Sequence, residues 1–418
     1  MSTEQLVKDI CLRAKEASRT LATVSTEIKN QVLLSLAERL EDQAAGLKQT
    51  NAQDVEGARQ DGLSDAMIDR LTLSDGVISS MAQGLREVAA LPDPVGEITG
   101  MQRRPNGLLV GRQRIPLGVI GFIYESRPNV TVDAAGLCLK SGNCVVLKGG
   151  KEALNSNLAL TAMIAEILAA QGLPPGCVQA VPTTDRAATS ALLRQDELVD
   201  VVIPRGGEGL IRFVAKNASV PVLKHYVGVC HVYVDKGADH DMAENICLNS
   251  KCQRPGVCNA METLLVHQDE APVFLPRALK ALSGQEVEIR GCAQTCSLYP
   301  PAKPAGEEDW PAEYLDLILA VKVVAGLDEA VSHIAAYGSQ HTEAIVTQDY
   351  HRARLFLNRV DSSVVLVNAS TRFNDGGQLG LGAEIGINTG KLHAFGPMGL
   401  KELTTTKFVV YGDGQVRS

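Results

Sequence analysis

The chain has 418 residues, of which 45% are hydrophobic, so it is long enough for two or three domains and too apolar to be disordered. Forty lysine and arginine residues stand against 48 aspartate and glutamate residues, which gives a formal net charge of −8. This acidic balance argues against a protein that coats nucleic acid or an anionic membrane. It is compatible with a local cationic pocket for a small anion.

No segment has the sequence of an export signal or a membrane span. The N-terminal segment MSTEQLVKDICLRAKEAS is charged throughout and lacks an apolar core. The best helical candidate, Leu158 to Leu173, is shorter than the roughly 20 residues of a membrane span and contains Glu166. We therefore expect a cytoplasmic protein without membrane contact, whose ten cysteines are free thiols rather than disulfides.

Residues 1 to about 90 are predicted to be helical. Apolar residues recur there at spacings of three and four, which is typical of an amphipathic helix packed on a core. The clearest stripe, expected to lie on one such helix, consists of Leu33, Leu36, Leu40, Ala44 and Leu47. Pro92 and Pro94 then end the helical region.

The segment MQRRPNGLLVGRQRIP, residues 101–116, is predicted to form a β-hairpin. The pair Asn106-Gly107 between two extended stretches is the favoured two-residue hairpin turn. Four arginines make this hairpin basic. It is either an arm that joins subunits or a solvated edge.

From Val119 onwards, short apolar runs alternate with helical patterns, as in a parallel sheet whose strands are buried on both faces. The first set of runs covers residues 119–123, 144–147, 178–181, 201–203 and 230–234, with a crossover helix over 155–170. A second alternation covers strands at 315–324, 343–347 and 363–367, with a helix at 327–336. This order predicts two α/β domains with parallel sheets.

Several chemical motifs are absent from the sequence. It contains no GxxxxGK[ST], no GxGxxG after a strand, no HExxH, no CxxC and no GxSxG. Phosphoryl transfer by a P-loop, a standard Rossmann turn, a metal site and a serine nucleophile elbow are therefore not supported. Chemistry based on a thiol remains as the leading option.

The segment NSKCQRPGVCNAMETLLVH contains the best candidate nucleophile, Cys258. This cysteine follows Pro255-Gly256, a turn pair that presents a side chain rather than burying it. Lys251 and Arg254 are close in sequence, and positive charge favours the reactive thiolate. Both cations are alternatively ordinary surface charges or ion-pair partners.

The other cysteines and the nearest histidine are weaker candidates than Cys258. Most cysteines lie in apolar strand-like or helix-like runs and are expected to be small buried hydrophobic residues. Cys252, which follows Lys251, is the competing nucleophile. His267 is a formal candidate for a thiol–imidazole pair, but it ends an apolar run and is expected to be exposed. A thiol protease is disfavoured for lack of a suitable histidine and asparagine.

Six sequence blocks in order, over most of the chain, carry a family resemblance. They are IPLGVIGFIYESRPNVTVDAAGLCLKSGNCVVLKGG, VIPRGGEGLIRFV, GVCHVYVD, QRPGVCNAMETLLVH, YGSQHTEAIVT and TRFNDGGQLGLGAEIGINTGKLHAFGPMGLKELTT. Together they resemble the gamma-glutamyl phosphate reductase family of the aldehyde dehydrogenase superfamily. The resemblance implies an NADPH-dependent reduction of L-glutamyl 5-phosphate to L-glutamate 5-semialdehyde, with release of phosphate, in proline biosynthesis.

The resemblance also implies roles for residues of this chain. Cys258 matches the family's nucleophile, which forms a thioester, and Asn129 in SRPN is the candidate side chain at the oxyanion site. Arg127 and Arg254 are the arginines nearest these motifs, and arginine pairs well with phosphate, so both are candidate substrate anchors.

For the cofactor, NADP(H), four residues are expected to form the binding site. Lys148 in VVLKGG matches the superfamily lysine that contacts the adenosine ribose and its phosphate. Glu313 is the candidate for the acid that holds the nicotinamide ribose, and Gly206 and Gly207 are expected to lie against the cofactor.

The resemblance implies an aldehyde dehydrogenase-like α/β fold, with two parallel-sheet domains and an oligomerisation hairpin. The expected divisions are 1–100 (helical part of the cofactor domain), 101–116 (hairpin), 117–228 (NADP-binding domain), 229–385 (catalytic domain) and 386–418 (return to the cofactor domain and an oligomerisation strand). A homo-oligomer is expected, together with a functional link to the glutamate kinase that makes the acyl phosphate.

One absence favours acyl phosphate chemistry over hydrolysis of the thioester. Hydrolytic aldehyde dehydrogenases carry a glutamate that activates water, and no acidic residue occurs here between Glu208 and Asp235. Without a base in this segment, attack by water is expected to be suppressed. The alternatives are another acylating aldehyde dehydrogenase, or a non-catalytic binding protein on the same scaffold.

Overall fold

A computed structural model describes residues 1–417, which contain fourteen α-helices and sixteen β-strands. The helices are α1 Thr3–Leu21, α2 Thr26–Asp42, α3 Ala44–Gln60, α4 Asp65–Leu71, α5 Asp75–Ala90, α6 Asn129–Lys140, α7 Leu154–Ala170, α8 Ala187–Leu192, α9 Glu208–Asn217, α10 His240–Cys252, α11 Ala271–Ser283, α12 Ala293–Leu298, α13 Leu327–Tyr337 and α14 Tyr350–Arg359. The strands are β1 Ile98–Arg103, β2 Leu109–Pro116, β3 Val119–Tyr124, β4 Cys144–Lys148, β5 Val178–Ala180, β6 Val201–Arg205, β7 Cys230–Val234, β8 Met261–His267, β9 Glu288–Gly291, β10 Lys303–Pro304, β11 Ile318–Val324, β12 Thr342–Val346, β13 Val364–Val367, β14 Ile387–Asn388, β15 Gly396–Pro397 and β16 Thr404–Tyr411.

The chain forms two compact units. The first unit comprises residues 1–224, 380–386 and 398–418, and the second comprises residues 225–379 and 387–397. These divisions differ from the expected ones, because the change of unit falls at Lys224–His225 rather than after residue 228. The chain was also expected to return to the first unit once, at residue 386. Instead it returns at residue 380, re-enters the second unit over residues 387–397, which carry the short antiparallel pair β14–β15, and returns again at residue 398.

The helices at the start of the first unit follow the apolar periodicity of the sequence. One helix boundary, between α2 and α3, is not visible in that periodicity. Ser2, Ser25 and Ser74 cap α1, α2 and α5 by accepting a backbone N–H with their hydroxyl groups. The predicted helix through Leu33 and Leu47 is two helices, because α2 ends at Asp42 and α3 begins at Ala44. Both leucines are buried all the same.

The parallel sheet of the first unit has the strand order β5-β4-β3-β6. Its strands β3 and β4 are buried along their whole length, which explains why they are continuous apolar runs in the sequence. Helices α1 and α6 pack against β3 and β4, α7 packs against β5, and α9 packs against β6. The chain order reverses between β3 and β6, so a topological switch point lies at their carboxyl ends.

The predicted hairpin forms, but its turn differs from the expected one. The Gly107 N–H donates to Arg104 O at 2.9 Å, and the Arg104 N–H donates to Leu108 O at 2.7 Å, which leaves a three-residue loop. The reason is Pro105, because a two-residue turn over Asn106-Gly107 needs the residue before it to donate a backbone N–H to Leu108 O, and proline has none. A third strand, β16, pairs with β2 over eight residues.

One helical stretch of the first unit, Lys151–Ala170, has the length and apolar composition of a membrane span, with a mean hydropathy of 1.4. It is longer than the segment that was considered from the sequence, because the helix begins before Leu158. Half of its most apolar window is buried inside the protein, where α7 packs against α2, α3 and β5. These contacts are those of a core helix.

The second unit is built on a seven-stranded sheet with the order β10-β9-β11-β8-β7-β12-β13, in which every adjacent pair is parallel. Alternate residues of a strand face opposite helix layers. Val232 and Val234 of β7 pack in the core with α10 and α11, whereas Tyr233 packs with α13 and α14. The predicted strand from residue 315 begins at Ile318, since Leu315 has a φ of 53°, which interrupts the extended chain.

The layer between β7 and α13 contains a buried histidine, His333, among aromatic rings and a second histidine. Its ring centroid lies 4.7 Å from that of Tyr337 and 5.6 Å from that of His231, and Lys322 Nζ lies 3.4 Å from its Nδ1. Burial, together with the charges of His231 and Lys322, lowers the pKa of His333 to about 3. The imidazole is therefore neutral in the folded protein at neutral and mildly acidic pH.

We expect His333 to make the protein acid-sensitive. The unfolded chain protonates this imidazole near pH 6.5 and the folded protein only near pH 3, so unfolding takes up a proton between these values. The free energy of unfolding then falls by up to about 1.4 kcal/mol for each pH unit below 6.5. Denaturant titrations between pH 7 and pH 4 measure this slope. It should decrease in His333→Gln and persist in the control His351→Gln, whose histidine is exposed; equal slopes would contradict the assignment.

Candidate active site

Three segments of the second unit converge because each immediately precedes one of three adjacent parallel strands. His225 and Gly228 precede β7, Cys258 precedes β8, and His341 precedes β12. Since β8, β7 and β12 are neighbours that run in the same direction, their amino-terminal ends lie at one edge of the sheet. The loops at this edge form the candidate active site.

Cys258 lies in this cluster with two histidines. Its Sγ and one ring nitrogen of each of His225 and His341 all lie within 4.8 Å of one another. The thiol-bearing residue and His225 are partly exposed, whereas His341 is buried. No acidic residue occurs between Glu208 and Asp235, as noted above, but two imidazoles accompany the thiol.

Each histidine is oriented by a hydrogen bond on its Nδ1. His225 Nδ1 lies 3.0 Å from Ile387 O, and His341 Nδ1 lies 2.7 Å from Thr342 Oγ1. A carbonyl oxygen only accepts, so Nδ1 of His225 carries a proton, and Nε2 is the nitrogen that bears the lone pair in the neutral ring. His225 is thereby held in the tautomer of a general base.

The backbone of the nucleophile loop is packed directly against Gly228. A Cβ atom at Gly228 would lie 2.0 Å from Cys258 O, so only glycine fits without displacing the peptide of Cys258. The Gly228 N–H donates to Glu313 Oε1 at 2.7 Å, and the Cys230 thiol donates to Cys258 O at 3.1 Å. Glu313 thus lies beside the nucleophile segment, and its expected contact with the cofactor stays a prediction.

Two arginines add positive charge near the thiol. Arg254 is exposed on the same loop as Cys258. Arg372, which the sequence analysis did not identify, donates from Nε to Gln253 Oε1 at 2.7 Å. Burial and the charge of Arg254 lower the pKa of Arg372, while the charges of Asp375 and of the Cys258 thiolate raise it. The two guanidinium groups therefore share one electrostatic environment with Cys258.

Lys251 is not a surface cation, and its ammonium group is paired with a carboxylate rather than with the Cys258 thiol. Its Nζ lies 2.6 Å from Glu262 Oε2, and both side chains are fully buried. Glu262 Oε1 also accepts the backbone N–H of Leu315 at 3.2 Å. Burial raises the pKa of Glu262 and lowers that of Lys251, because desolvation disfavours both charges. The ion-pair alternative for Lys251 is the correct one.

Breaking this pair should destabilise the protein strongly. In Lys251→Met the buried carboxylate of Glu262 keeps the Leu315 N–H but loses its cation, and we expect a loss of about 3–5 kcal/mol in the free energy of unfolding. Denaturant titration measures this loss. The matched control is Lys236→Met, whose partner Asp269 is exposed and whose loss should stay below about 1 kcal/mol. Equal losses in the two variants would show that the buried ion pair contributes no more to stability than the exposed one.

Cys252 and His267 differ from Cys258 in their surroundings. Cys252 is the last residue of α10, where the negative end of the helix dipole disfavours a thiolate, and burial raises its pKa. The expectation that His267 is exposed is wrong: it is the last residue of the fully buried strand β8, and its Nδ1 accepts the Asp269 N–H. Neither residue belongs to the cluster around Cys258.

A cleft of about 780 Å³ lies in the first unit at the carboxyl edge of its sheet. It is lined by Ile123 and Tyr124 at the end of β3, Lys148 at the end of β4, and Leu210 and Phe213 of α9. This is the edge at which open parallel sheets bind nucleotides, beside the switch point between β3 and β6. Its size and apolar walls fit part of a dinucleotide.

Lys148 lines this cleft, and Gly206 and Gly207 lie against Glu125, another residue of its lining. The Lys148 ammonium group donates to Gly149 O at 3.1 Å, and burial lowers its pKa. The Gly207 N–H donates to Glu125 Oε2 at 2.9 Å, and a Cβ at Gly206 would lie 2.5 Å from Cδ of the same carboxyl group. The two glycines therefore position Glu125, which itself lines the cleft.

Arg127 and Asn129 lie in the first unit, between β3 and α6. Arg127 is exposed, and its backbone N–H donates to Glu125 O at 2.6 Å. Asn129 is the first residue of α6, and its Nδ2 donates to Asp133 Oδ2 at 3.3 Å. Their expected roles, as substrate anchor and oxyanion donor, stay predictions.

Comparisons with known proteins agree with this fold. A model of the aldehyde dehydrogenase family matches residues 1–291. A gamma-glutamyl phosphate reductase of Desulfatibacillum aliphaticivorans is 63% identical over 418 residues, covering 100% of both chains. One of Geotalea daltonii is 58% identical over 417 residues, again covering 100% of both. The crystal structure of gamma-glutamyl phosphate reductase from Thermotoga maritima is 47% identical, with a TM-score of 0.97, and covers 99% of this chain and 100% of its own.

The chain belongs to the aldehyde dehydrogenase family and, within it, to the gamma-glutamyl phosphate reductases. It is an enzyme of the oxidoreductase class that acts on a small molecule. The predicted α/β class, with two parallel sheets of the aldehyde dehydrogenase type, is confirmed.

Proposed function

We propose that the enzyme reduces L-glutamyl 5-phosphate to L-glutamate 5-semialdehyde with NADPH and releases phosphate, as a step of proline biosynthesis. The observation that carries this proposal is the partly exposed Cys258 thiol within 4.8 Å of two imidazoles. Acyl transfer to a thiol needs an activated sulfur atom that the substrate can reach, and this cluster supplies both conditions.

The chemistry begins with the attack of the Cys258 sulfur on the acyl carbon of the substrate. Phosphate leaves with the bonding electrons of the acyl–oxygen bond, and a thioester remains on Cys258. Bound NADPH supplies the hydride that converts an acyl group at this position to an aldehyde. The Cys258 N–H and the amide of Asn129 are the donors that we assign to the oxyanion, and each such donor contributes roughly 3–4 kcal/mol in other acyl-transfer enzymes.

His225 is the residue that we assign to take the proton from Cys258. Its Nδ1 is held on Ile387 O, so Nε2 bears the lone pair that a general base requires. His341, which is buried and has its Nδ1 2.7 Å from Thr342 Oγ1, adds a second imidazole within 4.8 Å of the thiol. A thiol paired with imidazole is largely thiolate in other cysteine enzymes.

NADP(H) is the cofactor that we assign to the cleft of the first unit. Lys148, Lys151 and Arg186 all line it, and arginine and lysine bind phosphate well. Glu125 and Glu152 also line it and are suited to ribose hydroxyl groups. We therefore assign the three cations to the phosphate groups of the cofactor, with Glu313 of the second unit at the nicotinamide ribose.

We assign the substrate phosphate to Arg254 and Arg127, and we add Arg372 because it shares the charge environment of Cys258.

The sheet β1-β2-β16 is assigned to homo-oligomer formation, since its exposed side chains include Phe408, which is 64% accessible. A cytoplasmic location and a functional link to the kinase that makes the labile acyl phosphate complete the proposal.

The reverse reaction tests the proposal, because the acyl phosphate is unstable. Glutamate semialdehyde, NADP and phosphate are mixed with the enzyme, and absorbance reports the NADPH formed. Turnover that requires phosphate is expected. Turnover without phosphate would indicate a hydrolytic dehydrogenase, and turnover that requires coenzyme A instead of phosphate would indicate a different acylating enzyme. Absence of turnover with any of these acceptors would contradict the proposed function.

A further inference from the structure

We propose that Cys258, His225 and His341 bind a thiophilic divalent cation, with Zn²⁺ as the natural match, and that the bound ion blocks the nucleophile reversibly. One thiol sulfur and two imidazole nitrogens within 4.8 Å of one another are a three-ligand set for tetrahedral zinc with one position open. Soft sulfur together with imidazole selects zinc over the hard cations Mg²⁺ and Ca²⁺.

The distances require only a small movement. In a tetrahedral site with Zn–S near 2.3 Å and Zn–N near 2.1 Å, the ligand atoms lie about 3.3–3.6 Å apart. The three atoms, at up to 4.8 Å here, must therefore approach by up to about 1.5 Å. Cys258 and His225 are partly exposed and belong to loops, so rotation of their side chains can supply this movement while the buried His341 stays in place.

The neighbours of the histidines are those of metal ligands. His225 Nδ1 is held by Ile387 O at 3.0 Å, and such a bond on one ring nitrogen orients the other nitrogen towards a metal and increases its basicity. Thr342 Oγ1, at 2.7 Å from His341 Nδ1, is in turn held by Asn374 Nδ2 at 2.7 Å. Arg254 and Arg372 oppose a dication, so the site is expected to be weaker than a structural zinc site.

Binding would replace the thiol proton by the metal, so that the Cys258 sulfur coordinates Zn²⁺ as thiolate and one proton is released. Coordination to the dication draws electron density from the sulfur and lowers its nucleophilicity, and the ion occupies the space beside the thiol that the acyl group needs. The enzyme would then be silent until a chelator or a thiol removes the metal. This inhibition rests on the proposed role of Cys258, whereas the binding itself does not.

The test uses the full-length protein, stripped with a chelator and titrated with CoCl₂ and then with ZnCl₂. We expect one Co²⁺ per chain with a thiolate-to-metal charge-transfer band that Zn²⁺ displaces, and protection of Cys258 from iodoacetamide by Zn²⁺. The band should vanish in Cys258→Ser, and the affinity should fall at least about tenfold in His225→Gln. Cys252→Ser, which changes a cysteine outside the cluster, is the control and should bind as the wild type does.

Absence of the charge-transfer band, or unchanged binding in Cys258→Ser, would overturn the proposal. Thermal melts of each variant separate loss of a ligand from loss of the fold, and His225 is used because it is partly exposed. No readout involves turnover, so a failure of the proposed reductase activity leaves this result interpretable. Zinc bound in the expected way by an enzyme that lacks the activity would support the site and contradict only the proposed function.

Discussion

Cys258→Ala is expected to abolish the phosphate-dependent reaction. The thioester cannot form without the sulfur, and removal of a nucleophile costs about 10⁶-fold in a well-studied hydrolase. We therefore expect a fall of at least about 10⁴-fold in kcat, measured by NADPH formation from semialdehyde, NADP and phosphate. Binding of NADPH, followed by its fluorescence, should remain, because the cleft that contains Lys148 is built from the first unit only.

The matched control for this experiment is Cys252→Ala. Cys252 is also partly exposed and lies six positions earlier, but it ends α10 and lies outside the histidine cluster. Its substitution should leave kcat within a few-fold of the wild type. Activity that survives Cys258→Ala but not Cys252→Ala would reverse the assignment of the nucleophile. Loss of activity in both variants, with normal thermal melts, would mean that neither thiol acts alone.

His225→Gln is expected to lower kcat/KM by about 10²–10⁴-fold at neutral pH, the usual contribution of a general base. Glutamine keeps the size of the side chain but cannot take a proton from Cys258. Activity should recover as pH rises, because hydroxide then ionises the thiol, so the acid limb of the pH profile moves to higher pH. The rate of alkylation of Cys258 by iodoacetamide should show the same shift without any substrate.

The control for His225→Gln is His351→Gln, which changes an exposed histidine of α14. It should leave both the pH profile and the alkylation rate unchanged. If His225→Gln alters KM alone and leaves alkylation as in the wild type, the histidine positions the substrate and is not the base. If only His341→Gln shifts the alkylation profile, the base is the buried histidine.

The sequence alone predicted most of the architecture, because strands buried on both faces must be apolar at every position. Residues 230–234 were predicted as a strand and form β7, and the crossover helix expected from residue 155 begins at Leu154. The errors lie where a local feature overrides periodicity. Pro105 changes the hairpin turn, and the stripe through Leu36 and Leu47 continues across a break between two helices.

Cys258 could be selected from the sequence, since the turn pair Pro255-Gly256 and the family blocks lie next to it along the chain. The histidines could not, because His225 and His341 are distant from it in sequence and no spacing rule connects them. They meet only because the strands that follow them are neighbours in a parallel sheet. The segment between Glu208 and Asp235 contains no acidic residue, but it does contain the imidazole of His225, which the criterion of an acidic base leaves out.

Local sequence determined the apolar runs, the turn before the thiol and the family blocks, all of which depend on residues close together along the chain. Tertiary structure alone decided what each charged or polar side chain meets. Lys251, close to Cys258 in sequence, is buried against Glu262, and His267, expected at the surface, is buried. The free energy of a charge or an imidazole depends on its burial and partners, and strand order sets these over long sequence separations.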